Sequence, residues 1–136
     1  MTYPARHLSV AINRPAEQEY AFAADPEHLP RWAAGLSGSI HNVNGVWIAE
    51  SPMGRVTVTF AAANGFGVLD HHVTLPTGVT VYNPMRVVPN NDGSEVIFTL
   101  YQRPEMSDDI FAEDARAVMR DLATLKRLLE DKVPVQ

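Results

Sequence analysis

SDDIFAEDARAVMRDLATLKRLLED, residues Ser107–Asp131, reads as one long amphipathic α-helix. Phe111, Ala115, Val118, Leu122, Leu125 and Leu129 recur at spacings of four and three, which lines them along one helix face. Arg116, Arg120, Asp121, Lys126, Arg127 and Glu130 fall mainly off that stripe. Ser107 suits the N-cap, because its hydroxyl can accept from a first-turn amide that has no partner inside the helix. Asp108 and Asp109 follow, where the positive end of the helix dipole favours carboxylates. Lys126, Arg127 and Lys132 lie toward the other end, and Pro134 cannot continue the helix. These 25 residues would span roughly 37 Å. A helix of that length with one apolar face needs a broad apolar surface to lie on.

The preceding chain has the pattern of that surface. Leu8, Val10 and Ile12 alternate with polar or small residues, the period of a strand with one buried face. Arg14-Pro15 ends this strand, and Ala16 to Ala24 is a short helix. Asp25 caps a second short helix that runs through Trp32. From Ser39 onward, strands alternate with tight turns. Asn44-Gly45, flanked by Ile40–Val43 and Val46–Ala49, is a strong two-residue hairpin signal, because both turn positions want positive φ. Further strands are expected at 55–61, 68–75, 79–88 and 94–103, separated by Asn64-Gly65-Phe66-Gly67, Pro76-Thr77-Gly78 and Pro89-Asn90-Asn91-Asp92-Gly93. Hairpin links make neighbouring strands antiparallel. The whole chain, 1–136, reads as one α+β domain, with the long helix covering one face of an antiparallel sheet.

This order of elements resembles the START-related polyketide cyclase and pollen-allergen superfamily (SRPBCC, the helix-grip fold). Arg14-Pro15-Ala16-Glu17 through Tyr20-Ala21-Phe22, followed by Asp25-Pro26-Glu27-His28-Leu29-Pro30-Arg31-Trp32, is similar to its opening segment. The resemblance implies a curved seven-stranded antiparallel sheet wrapped on the C-terminal helix, with two short helices after the first strand and a cavity between sheet and helix. The superfamily includes lipid carriers, aromatic-polyketide cyclases, hormone receptors and chaperone co-factors. Its catalytic residues vary between branches, so the resemblance carries over no catalytic residue.

Alternation sorts the strand residues by face. Val56, Val58 and Phe60 point inward, as do Leu69, His71, Val73 and Leu75 on the next strand. Val79, Val81, Asn83 and Met85 follow, then Val96, Phe98, Leu100 and Gln102. In the 39–50 hairpin, inward valines would bring His41 and Glu50 with them, whereas an inward Trp47 would turn both to solvent. His71 interrupts an otherwise apolar face, and a turn centred on Thr77 sets it opposite Asn83. Such a pair can fix the imidazole tautomer and leave the other nitrogen for a ligand. The plainer reading is a buried histidine satisfied by Asn83 or water. Asn83-Pro84 predicts a bulge or bend, and a face swap beyond it would turn Arg86 inward to grip a carboxylate or phenolate; a solvent-exposed arginine is the competing reading. Val58, Phe60, Phe98, Met119, Leu122 and Trp47 complete the candidate ligand-binding set. For Met119, Trp47, Trp32 and Tyr101, plain core packing is the alternative.

Composition removes several classes of function. Sixteen acidic residues oppose eleven basic ones without a basic cluster, which disfavours a nucleic-acid partner. There is no cysteine, hence no disulfide and no thiolate chemistry. His71 and His72 are adjacent on a strand and point to opposite faces, so no metal is expected, nor any other cofactor. No apolar run is long enough to span a bilayer, and the chain reads as soluble and cytoplasmic. The leading expectation is a binder of a small, mainly apolar, lipid-like or aromatic polyketide-like molecule, with a homodimer left open. A cyclase or dehydratase using His71 as general base, aided by Asn83 or Arg86, is the second. A protein-interaction module using an outer Asp70/His72 face is the third.

Overall fold

The computed structural model describes residues 1–36 and 38–131; the expected helix-stop residues Lys132 and Pro134 lie outside the described residues. Strand β1 (Ala5–Ile12) is followed by helices α1 (Ala16–Ala23) and α2 (Leu29–Trp32). Then come β2 (Ile40–Val43), β3 (Val46–Ser51), β4 (Gly54–Phe60), β5 (His71–Thr74), β6 (Thr80–Asn83), β7 (Met85–Asn90) and β8 (Gly93–Tyr101). Helix α3 (Asp108–Glu130) closes the order. Strands β1-β8-β7 form one antiparallel sheet and β2-β3-β4-β5-β6 another.

Helix α3 begins where the sequence predicts. The Ser107 hydroxyl accepts the Ile110 amide at 3.2 Å. Phe111, Ala115, Leu122, Leu125 and Leu129 are buried, and the helix packs on β1, β8 and α2. Each fully buried leucine contributes about 1.5–3 kcal/mol relative to an exposed one. The helix end is tied to the end of β1. Arg14 donates to the carbonyl oxygen of Glu130 at 2.7 Å, and the Glu130 carboxylate accepts the Asn13 amide at 2.8 Å. One of the last-turn carbonyls thus gains a donor that the helix itself cannot supply. Among the described residues, no helix is long and apolar enough to cross a membrane.

The Asn44-Gly45 turn has positive φ at both positions, 53° and 85°, as the hairpin requires. Its face is decided by Ala49, which is fully buried, while Val43 and Val46 are 43% and 44% exposed. Trp47 therefore shares the inner face with its register partner Val58, and His41 and Glu50 turn outward.

The count is eight strands rather than the expected seven, because Pro84 divides the predicted 79–88 strand into β6 and β7. Proline has no N–H to give the ladder. Its carbonyl stays in register and accepts the Thr99 amide at 2.9 Å. The chain bends there without inserting an extra residue, so the alternation carries through. Met85 and Val87 are buried and Arg86 is exposed, and the expected face swap does not occur. The 68–75 strand is also shorter than predicted: 67–69 runs beside β7 instead, with Leu69 donating to Met85 and Val87 donating to Gly67.

One buried polar contact pins α1 to the sheet. The Ser94 hydroxyl meets both the Arg14 carbonyl, at 2.9 Å, and the Glu19 carboxyl. A hydroxyl has one proton and a carbonyl can only accept. The single Ser94 proton is therefore shared between the Arg14 carbonyl and the Glu19 carboxyl. Burial raises the Glu19 pKa above its ordinary 4.5, and the Ser94 hydrogen bond works against that rise.

Candidate functional site

The inner faces of β4, β5 and β8 meet α2 and α3 around a cavity of about 150 Å³. Val58, Val73 and Phe98 line it from the strands, Leu29 and Trp32 from α2, and Val118 and Leu122 from α3. His71, Asn83 and Asp121 are its polar or ionisable side chains. Strand alternation places His71 and Asn83 here, and the 3.6-residue period of α3 places Val118 and Leu122.

Five of the expected site residues come together in this cavity: His71, Asn83, Val58, Phe98 and Leu122. Phe60 stands behind the imidazole, with ring centroids 5.1 Å apart. The other three do not line it. Trp47 lies farther along the inner face. Met119 is 37% exposed and sits in a shallow groove between β1 and α3, with Arg6, Arg116 and Arg120 nearby. It lies three residues before Leu122 but off the stripe that faces the sheet. Arg86 is on the outer face, bound to Asp70.

His71 is held in one tautomer. Its Nδ1 lies 3.0 Å from the Leu69 carbonyl oxygen, which can only accept, so Nδ1 carries the proton. Nε2 is left as an acceptor. Burial lowers the His71 pKa below its ordinary 6.5, so the ring is neutral at pH 7. His71 and Asn83 are register partners as expected, yet the expected hydrogen bond between them is not formed. A carbonyl two residues back on the same chain takes the proton, and the Asn83 amide is left to the cavity.

Two polar groups at the cavity wall were not legible as such. Trp32 is 5% exposed, and its indole Nε1–H is buried without a hydrogen-bond partner. Asp121 reads as lying off the apolar stripe, but the turn after α2 folds over it and the Ala34 amide donates to its Oδ1 at 3.1 Å. Burial raises the Asp121 pKa above 3.8. Only the tertiary position of the 33–36 turn creates this environment. Among the described residues, no group of three or more His, Cys, Asp or Glu side chains is placed to hold a metal ion.

Beside the cavity the sheet splays. Above Pro84, β6 stays with β5 while the end of β8 stays with β1, and a cleft of about 840 Å³ opens between them. Its walls carry Tyr3, Tyr82 and Tyr101 together with Val79, Val81 and Leu100. Asn83 lines both the cleft and the inner cavity.

The outer-face cluster around Asp70 holds the same bend from behind. The Asp70 carboxylate accepts from the Met85 amide at 2.9 Å, from Tyr82 at 3.1 Å, and from Arg86 at 3.0 and 2.8 Å. The Arg86 hydrogen bond is the largest cause that lowers its pKa from 3.8 to about 2. A depressed carboxylate stabilises the fold fully above its unfolded pKa and loses that contribution as pH falls through the folded one. Asp70→Ala is therefore expected to cost about 1–3 kcal/mol at pH 7, chiefly by stranding the Met85 amide and Arg86. Urea titrations from pH 7 to pH 2 should show that the wild type loses this margin between about pH 4 and pH 2, while the variant has none there to lose. Equal stability of the two proteins at pH 7 would contradict it.

No protein-family model matches the sequence, and no curated protein matches it. Solved structures match its fold. An uncharacterised protein from Bacillus thuringiensis superposes with a TM-score of 0.75 at 16% identity, over 94% of this chain and 100% of that one. Ara h 8.0201 gives 0.66 at 13% identity, over 95% and 99%. DynU16, a protein in the dynemicin biosynthetic locus, gives 0.71 at 11% identity, over 93% of this chain and 47% of its own. With a long C-terminal helix packed on antiparallel strands, and two short helices after the first strand, this chain has the helix-grip fold.

Proposed function

We propose that the chain binds a small, mainly apolar molecule between its sheet and its C-terminal helix. The supporting observation is an apolar-walled cavity lined by a few polar side chains, His71, Asn83 and Asp121. Ligand sites are built this way, with apolar area supplying affinity and sparse polar groups supplying orientation. The test is thermal unfolding against fatty acids, sterols, and aromatic compounds of one to three rings. A ligand at 100 times its Kd should add about 2.7 kcal/mol, which raises Tm on the order of 10 °C. Absence of any shift across the panel would overturn the reading.

A second reading is favoured by one feature, the fixed tautomer of His71. A neutral imidazole with Nδ1–H held by Leu69 presents Nε2 as a base at pH 7. Nε2 could take a proton from a carbon next to a ketone, while the Asn83 amide donates to the developing enolate oxygen. Arg86 has no part in this, because it faces outward. Under this reading His71→Gln should lower turnover of an aromatic polyketide-like ketone about 10²–10⁴-fold while ligand binding survives. Unchanged turnover in the variant would leave binding as the function.

A further inference from the structure

The cleft beside the cavity is a break in the sheet, and its two lips match. We infer that they are the ligand's door: the edges of β6 and β8 part above Pro84 to admit a molecule to the inner cavity, then zip together over it with Tyr82 paired to Tyr101. This rests on the cavity being the ligand site.

Hydrogen-bond parity sets what each lip presents. The Val79 carbonyl oxygen accepts the Leu75 amide at 2.8 Å, so the backbone groups of Val79, Val81 and Asn83 turn to β5, and those of Thr80 and Tyr82 turn to the cleft. The Gln102 amide donates to the Pro4 carbonyl at 2.9 Å, so Leu100 turns to β1, and Thr99 and Tyr101 turn to the cleft. The Thr99 amide, bound to the Pro84 carbonyl, is the last rung between the lips. The register that pairs Met85 with Phe98, continued by three residues, sets Tyr82 opposite Tyr101 as a hydrogen-bonded pair. Each then offers the other an N–H and a C=O. Pro84 has no N–H, so the rung at the hinge is a single bond. A zipper that is weak at its base opens readily.

The gap also leads to the right place. Inward Val81 and Leu100 and outward Tyr82 and Tyr101 all line it, so it passes through the sheet. Asn83, beside the hinge and on the inner face, lines both the gap and the cavity. A gap of about 840 Å³ admits whatever a cavity of about 150 Å³ can hold.

The chain has no cysteine, so Tyr82→Cys/Tyr101→Cys carries only the two new thiols. Hydrogen-bonded antiparallel partners lie about 5.5 Å apart at Cα, within disulfide reach. The exchange probe is 2-naphthol, or the strongest binder of the panel should 2-naphthol not bind. Glutathione disulfide should close the bridge, and faster with the probe present. The desalted oxidised protein should take up and release the probe at least about tenfold more slowly than its reduced form, at a Kd within about threefold. Comparing two redox forms of one variant cancels the loss of the tyrosines. Wild-type protein gives an independent reading: saturating probe should slow amide hydrogen exchange at Tyr82 and Tyr101 about tenfold. That reading decides alone should the variant fail to fold. No bridge, a bridge that leaves both rates unchanged, or unchanged exchange at both amides overturns the inference, and ligand binding stands. If no panel compound binds, both fail.

Discussion

Gly67→Ala is expected to destabilise the protein by about 3–5 kcal/mol, the largest effect of any change this small. Gly67 has φ +72°, a conformation that costs a side chain strain, and a Cβ there would lie 2.1 Å from the Val87 carbonyl oxygen. The obstacle is backbone, which cannot rotate away as a side-chain tip can. Moving it would break the hydrogen bond from the Val87 amide to the Gly67 carbonyl, 2.9 Å long, and with it the seating of 67–69 along β7. That segment leads directly into Asp70 and His71, so the damage reaches the cavity wall. Urea denaturation measures the loss. A cost below about 1 kcal/mol would mean that 67–69 can swing off β7 without consequence.

Leu122→Ala should cost about 2–5 kcal/mol, through lost burial and the space left behind. Leu122 is fully buried and lines the cavity, so its loss also enlarges the ligand space. The variant should accept two-ring compounds such as 2-naphthol more tightly than the wild type does, despite its lower stability. Met119→Ala serves as the control. Its side chain is 37% exposed outside the cavity, and its removal should stay within about 0.5 kcal/mol and leave binding unchanged. Denaturation and calorimetry on the two variants separate the effects. Equal costs at both positions would contradict the placement of α3 against the sheet.

The architecture was legible because it rests on local signals. The spacing of Phe111, Ala115, Leu122, Leu125 and Leu129 defines a helix face, Ser107 caps it, and Asn44-Gly45 closes a hairpin, whatever the rest of the chain does. Alternation likewise brought His71, Asn83, Val58 and Phe98 to one surface, since period two depends only on the strand.

Tertiary structure decided what local patterns leave degenerate. A hairpin sets which residues pair but not which face is buried; burial of Ala49 settled that, turning Trp47 in and the valines out. Pro84 announced a disruption, but whether it shifts the alternation depends on its carbonyl finding Thr99, a contact across the sheet. Arg86 could have faced either way, and the Asp70 carboxylate, sixteen residues distant in sequence, holds it outside. The Asp121 carboxyl became a cavity group only when the 33–36 turn packed over α3. By itself the sequence determined the helix-grip order of elements and the inward histidine, because both follow from the short-range periods of helix and strand. The cavity's volume, the tautomer of His71 and the unpartnered indole were decided only by the folded chain, because each depends on atoms that packing brings together from distant parts of it.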